Sequence, residues 1–270
     1  MPTYLLIDNG SVQASATLQL RQVAQMVSER TGKPIHPVSL MHANRIAIDQ
    51  LGGQAANTFE VFLREQLHKG EREFVALPLF FGVSRALTSF VPDKLSILKE
   101  EFGDFTLRLA DVTYPMPDGE ASLAEVIKDH ILQSIDEKDV SARAVLTDHG
   151  SPIAKVTNVR KHLAEATRQL LPAHIKLDQA VMERREGKEY DFNGDLLEDY
   201  LTQQAQQGVT SVAVIMMFFL PGRHAGPDGD VEDICQNVMN QYPELSVSIS
   251  PLISEHPLLV DILVKRLHDL

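Results

Sequence analysis

The chain is short of cysteine, of positive charge and of long apolar runs, and each shortage removes a class of function. Cys235 is the sole cysteine in 270 residues, so an intrachain disulfide and a thiolate-built metal cluster are both out of reach. Any metal must be held by histidine, carboxylate or water. Acidic residues outnumber basic ones, 37 to 25, giving a formal charge of −12. Nucleic acid and anionic membrane surfaces need a basic face and are disfavoured as main partners. Small anionic ligands stay open, because a few local arginines can override an unfavourable global field. The longest apolar run, residues 212–221, is about half the length that crosses a bilayer and reads as a buried strand. The first ten residues have no basic leader before their apolar run, so no secretory signal is expected. A soluble, cytoplasmic protein is the expectation. Neither half has a G-x-G-x-x-G run or a P-loop, which disfavours a nucleotide or phosphate binder built on the Gly150-Ser151 turn. No nucleophile-elbow pattern surrounds Ser151, so Ser–His–Asp catalysis lacks support.

What the chain does have is a doubled pattern. A hydrophobic content of 44% suits a buried core, and the length is comfortable for two domains of about 130 residues. Leu6-Ile7-Asp8-Asn9-Gly10-Ser11 resembles Leu146-Thr147-Asp148-His149-Gly150-Ser151, 140 residues on. Phe80-Phe81-Gly82-Val83-Ser84 lines up with Leu220-Pro221-Gly222-Arg223-His224, and residues 107–110 with 247–250, at the same offset of 140. Three patches on one offset, with no gaps implied between them, indicate a tandem duplication. The boundary is expected beside Asp136-Glu137-Lys138-Asp139, giving lobes of 1–138 and 139–270. In the second half, strands are expected over 144–148, 175–182, 211–220 and 245–250, and helices over 155–171, 196–207, 231–242 and 257–270. Such alternation predicts an α/β fold, two flavodoxin-like (Rossmann-like) domains with parallel sheets covered on both faces.

In open parallel sheets ligands bind beyond the carboxyl ends of strands, where strand order reverses; in flavodoxin-like order that is between the first and third strands. His149 follows the first strand of the second half and His224 the third, so both imidazoles should meet in one crevice. Glu183 ends the second strand and His256 follows the fourth, before Pro257. Two imidazoles with a carboxylate suit a borderline divalent metal such as cobalt, iron or nickel. Without a thiolate the metal is held loosely, which suits a site that gives it away. Each residue also has a plainer reading. The Asp148-His149-Gly150-Ser151 stretch could be a turn with Ser151 capping a helix, and His224 a solvated loop residue among turn formers. His256 reads more simply as a residue near a helix start, and Glu183 as part of a solvated charged run. The joint placement of His149 and His224 favours function, as does their joint replacement by Asn9 and Ser84 in the first half. That pattern suggests one working site and one degenerate copy.

These residues resemble the class II tetrapyrrole chelatases, the sirohydrochlorin cobaltochelatases and ferrochelatases of cobalamin and siroheme synthesis, in their two-domain form. The match rests on His149-Gly150-Ser151, Pro221-Gly222-Arg223-His224 and His256-Pro257-Leu258-Leu259, motifs specific as a set and short singly. The resemblance implies a lyase that inserts Co²⁺ or Fe²⁺, with Ni²⁺ also open, into sirohydrochlorin or a related tetrapyrrole. The metal is a substrate, and no permanently bound cofactor is implied. It further implies that His149 and His224 bind the metal and act catalytically with Glu183, in a cleft between two lobes of which the first is structural. Insertion removes two pyrrole N–H protons, so a base must stand near the ring centre, a task within reach of histidine. The substrate carries many carboxylates. Arg223 is the best anchor, since guanidinium pairs with carboxylate bidentately, with Ser151 beside it and Arg184, Arg185 and Arg85 as weaker candidates. The alternative is a non-catalytic tetrapyrrole or metal carrier descended from a chelatase. Monomer and homodimer are both compatible with a duplicated chain.

Overall fold

The computed structural model describes residues 1–135 and 143–270. By packing, the chain forms two compact units, Met1–Pro117 with Leu259–Leu270, and Asp118–Leu258. The expected boundary at 138/139, with its charged stretch from Asp136, lies outside the described residues.

The first unit is built on β1 (Thr3–Asp8), β2 (Ile35–Ser39), β3 (Glu73–Pro78) and β4 (Thr106–Leu109), with helices α1 (Ala14–Thr31), α2 (Phe59–His68) and α3 (Val91–Phe102). The second begins with α4 (Ala121–Ser134). It continues through β5 (Arg143–Asp148), α5 (Ala154–Arg168), β6 (Lys176–Val181), α6 (Leu197–Gln206), β7 (Ser211–Met216), α7 (Asp230–Gln241) and β8 (Ser246–Ile249). All but the first residue of α8 (Leu258–His268) belongs to the first unit, where the buried Arg266 Nε donates to Val112 O at 2.8 Å.

The sheets run β2-β1-β3-β4 and β6-β5-β7-β8, every pairing parallel. This is the flavodoxin-like order, with the reversal beside β1 and β3 in one unit and β5 and β7 in the other. The central strands are sequestered on both faces: in β7 every residue after Ser211 is buried, as a covered parallel strand requires. In the second unit Val145, Val212 and Val214 pack with Leu197, Leu201, Val231 and Val238 from α6 and α7. In the first, Leu5, Ile7, Phe74 and Ala76 pack with Phe59, Leu63 and Leu98 from α2 and α3.

Predicted and observed elements differ by a residue or two at most ends, with two larger gaps: α5 stops at Arg168, three residues short of 171, and one strand falls shorter still. The third strand of the second half was expected to run to Leu220 but stops at Met216. Its neighbour β8 ends at Ile249, and past that point the apolar Phe218 and Phe219 offer their carbonyls to Ile253 N and Ser254 N, in a loop rather than a ladder.

The registers also correct the gapless duplication. Tyr4 pairs with Ile35 and Val75, while its counterpart Ala144 pairs with Leu177 and Ala213. Ile35 thus corresponds to a residue 142 positions on, and Val75 to one 138 positions on. Phe80 O accepts from Thr113 N as Phe218 O does from Ile253 N, so Phe80-Phe81 corresponds to Phe218-Phe219 rather than Leu220-Pro221. The offset returns to 140 at β4 and β8, which places two extra residues of the second unit in the segment that carries His224. Counted along the strand, His224 falls on Ala86 rather than Ser84; in either register the first unit offers no imidazole.

Candidate metal centre

His149 and Glu183 are brought together by backbone. After β5 and β6 end side by side, Met182 N donates to Asp148 O at 2.8 Å and Glu183 N to His149 O at 3.2 Å. Gly150 makes this approach possible. Its φ is +90°, and a Cβ there would sit 2.0 Å from Glu183 O, closer than any side chain allows. Gly10 has the same φ, +92°, against Met41 O, so the turn is shared by both units and only its side chains differ. Glu183 Oε1 consequently lies 3.2 Å from His149 Nε2, with both side chains about half exposed.

His224 is positioned by a loop that folds back onto the start of α7. Gly222 N donates to Ala225 O at 2.7 Å, Asp230 N to Arg223 O at 3.0 Å and Val231 N to His224 O at 3.2 Å. Asp230, the first residue of α7, places its carboxylate 2.6 Å from His224 Nδ1, at the end of the helix where negative charge is favoured. The two imidazoles then meet: the His149 and His224 ring centroids are 4.6 Å apart, edge to face at 72°.

Both imidazoles face acceptors. His224 Nδ1 lies 2.6 Å from the Asp230 carboxylate, and His149 has an acceptor at each ring nitrogen, Gly150 O 3.2 Å from Nδ1 and Glu183 Oε1 3.2 Å from Nε2. With the proton on Nδ1, each Nε2 offers a lone pair to a metal. Ligands bound at about 2.1 Å and at right angles stand about 3 Å apart, so His149 Nε2 and Glu183 Oε1 fit as one edge of a coordination shell. Among the described residues no group of three or more His, Cys, Asp or Glu side chains forms a ready-made metal cage.

The remaining candidates are spread more widely. Arg223 is 78% exposed and only loosely associated with Asp230, Nε to Oδ2 at 3.6 Å, so its guanidinium is available to an anion. Ser151 accepts from Ile153 N at 3.1 Å, a turn contact just ahead of α5. Arg184 is engaged by Asp191 and Gly194 O, Arg185 lies over the Tyr190 ring at 5.9 Å, and Arg85 is exposed. His256 does not join the pair: its Nδ1 accepts from Leu258 N at 3.2 Å and its Nε2 faces Asp129 at 3.4 Å. That matches its plainer reading as a helix-start residue.

Sequence reasoning missed three residues around this site. Asp230 was visible only as an acid opening a helix six residues after a histidine. Arg160 and Asn193 carried no signal, since one reads as an ordinary helix arginine and the other as a loop amide. Arg160 is 1% exposed and pairs with Asp148 at 2.7 Å. Burial pushes the Asp148 carboxyl up, and the Arg160 charge pulls it back. Among the described residues no cation pairs with its counterpart Asp8: one oxygen accepts from Gly10 N, the other is buried without a hydrogen-bond partner, and burial raises its pKa to about 6.

The model of the CbiX family matches residues 143–270, the stretch that holds both histidines. No curated protein matches the chain. Among solved structures, SirB from Bacillus subtilis with Fe³⁺ is similar over 100% of this chain and 95% of its own, at 12% identity and a TM-score of 0.72. The sirohydrochlorin chelatase SirB from Bacillus subtilis subspecies spizizenii, in complex with cobalt, has the same coverage and identity with a TM-score of 0.67. CbiX, described as the terminal enzyme for biosynthesis of siroheme in denitrifying bacteria, covers 99% of this chain and 98% of its own at 13% identity, with a TM-score of 0.59. At these identities the structures speak for the fold, and the family match for the second half. Residues 143–270 are thus similar to the CbiX family, and over its whole length the chain shares the two-domain α/β fold of the SirB and CbiX structures.

Proposed function

We propose that this chain inserts a divalent metal, Co²⁺ or Fe²⁺, into sirohydrochlorin or a closely related tetrapyrrole, using the site at His149 and His224. The observation that carries the reading is the meeting of two imidazoles at a strand-order reversal within the residues that match the CbiX family model, each with an acceptor beside its Nδ1. The structural relatives are named with Fe³⁺ and with cobalt, and imidazole with carboxylate accepts either metal as a divalent ion. Ni²⁺ fits the same ligands.

In this mechanism His149 Nε2, His224 Nε2 and Glu183 receive the incoming metal. The macrocycle gives up two N–H protons as its four nitrogens take on the metal. The metal leaves the imidazoles as those ring bonds form, and each freed Nε2, or Glu183, takes up a proton. The same groups that present the metal thus become the bases that the exchange needs. Asp230 stabilises the imidazolium formed on His224 through the Nδ1 contact at 2.6 Å. Arg223, exposed next to His224, pairs with a peripheral substrate carboxylate.

The test is anaerobic absorbance of the protein with sirohydrochlorin and Co²⁺ or Fe²⁺. Spectral conversion above the uncatalysed rate, lost in the His149→Ala/His224→Ala variant and kept in Asn9→Ala, is the expected result. Tight tetrapyrrole binding without conversion would instead make the protein a carrier. Equal loss in Asn9→Ala would refute a single working site.

A further inference from the structure

We infer that Arg160 and Asn193 are positioning residues for His149: a buried polar brace that holds the His149-Gly150-Ser151 turn and is confined to the unit carrying the histidines. The inference rests on the reading of His149 as a metal-holding residue. The Arg160 guanidinium donates to Asp148 Oδ1 at 2.7 Å, to Ala180 O at 2.9 Å, to Asn193 O and, through Nε, to Gln179 Oε1 at 3.4 Å. Asn193, 0% exposed, uses all four of its amide hydrogen-bonding positions. Its Oδ1 accepts from Ser151 N at 3.1 Å and Thr157 Oγ1 at 2.9 Å, and its Nδ2 donates to Ser151 O at 2.9 Å and Tyr190 O at 3.1 Å. His149 therefore sits between two anchored neighbours, Asp148 on one side and Ser151 on the other. Neither brace residue reaches the imidazoles, so any effect on metal passes through the turn.

The first unit supplies the comparison. Counterpart positions in α1 and α5 put Leu20 at the place of Arg160, with Thr17 matching Thr157, all four buried. Leu51, buried just before Gly52, stands where Asn193 stands just before Gly194. The same strand–turn–helix path thus folds around two leucines when it ends in Asn9. There the helix is tied to the loop by the next residue, Arg21, which donates to Leu51 O at 2.9 Å, to Gln54 O and to Ala55 O rather than to the aspartate of the turn. Burying a guanidinium and an amide is commonly no gain over well-packed apolar residues, so stability does not explain the polar pair. What the second unit gains is a turn whose backbone is tied on both sides of the metal-holding imidazole, the kind of outer support that sets ligand geometry.

The experiment transfers the first unit's solution to the second: Arg160→Leu/Asn193→Leu, with Co²⁺ alone as probe, followed by its visible absorption and by titration. The expected result is a folded protein, by circular dichroism, whose Co²⁺ affinity falls about 10- to 100-fold with an altered Co²⁺ spectrum. KM for Co²⁺ should rise more than KM for the tetrapyrrole. On a His149→Ala background the same double substitution should add no further loss, since its effect runs through His149. Unchanged affinity and spectrum in the leucine variant, or losses that add fully to those of His149→Ala, would overturn the brace while leaving the proposed function standing. If His149→Ala itself leaves Co²⁺ binding and insertion intact, the function and the brace fall together. Should the leucine variant not fold, Arg160→Lys decides, because it keeps the charge beside Asp148 and loses the fork to Asn193. A smaller loss of affinity with the same spectral change supports the brace, and wild-type behaviour overturns it.

Discussion

Asp8 offers a test of the first unit that needs no substrate. Its carboxyl is buried at the end of β1, with one oxygen unpartnered and a pKa raised from 3.8 to about 6, chiefly by desolvation, against the pull of Ser39 and the Gly10 amide. A carboxyl whose pKa is higher folded than unfolded favours folding while it is protonated. The contribution is fully present below about pH 3.8 and is lost as the pH rises through about 6. The whole shift corresponds to about 3 kcal/mol, of which about 2 kcal/mol is recovered on going from pH 8 to pH 4.5. Asp8→Asn removes the titration and keeps an acceptor for Gly10 N. The substituted protein should therefore gain most over wild type at pH 8, and its advantage should shrink by about 2 kcal/mol at pH 4.5. Urea unfolding of both proteins at the two pH values, followed by far-UV circular dichroism, reads the difference directly, with other titrating groups cancelling between them. A gap that stays constant with pH, or widens toward pH 4.5, would refute the uncompensated carboxylate.

Gly150→Ala should abolish metal insertion and destabilise the protein by more than about 2 kcal/mol, since strain at positive φ is joined by a clash with backbone. Urea unfolding checks this, with Gly32→Ala as control, because Gly32 has φ +67° and open space around its missing Cβ. Asp230→Asn should lower Co²⁺ affinity about 10- to 100-fold with the fold intact, measured by titration. Loss of the carboxylate should also mix the His224 tautomers in ¹⁵N NMR, and an unchanged spectrum would speak against the Asp230 role.

The sheet order was legible because duplication and apolar alternation are both sequence properties, and parallel order then follows from chain economy. The histidine pair was legible for a topological reason: residues just past the first and third strands of such a sheet must converge, whatever their separation in sequence. Glu183 was found the same way, as the residue after the second strand. The constant offset of 140 misled in the middle of the repeat, because a lengthened segment before β6 and a shortened one before β7 shift the strands in opposite senses. Matching Gly82 to Gly222 hid this, as glycines and prolines recur in any such loop. The packing of α8 into the first unit was not legible either, since an amphipathic stripe states how much surface must be buried and not against what.

Buried polar residues separate the two units more sharply than their backbones do. Both turns need a glycine with positive φ against a carbonyl, and both strands end in an aspartate that holds the glycine amide. Among the described residues, only the second unit answers its aspartate with a cation, and only there does an amide tie the turn to the next loop. The first unit has leucines at both places and ties its helix to the loop through the partly exposed Arg21, which leaves the aspartate of the turn alone. Packing requirements are common to the two copies and cancel. On the inference drawn above, what remains is the geometry demanded by the residue the buried network holds, His149.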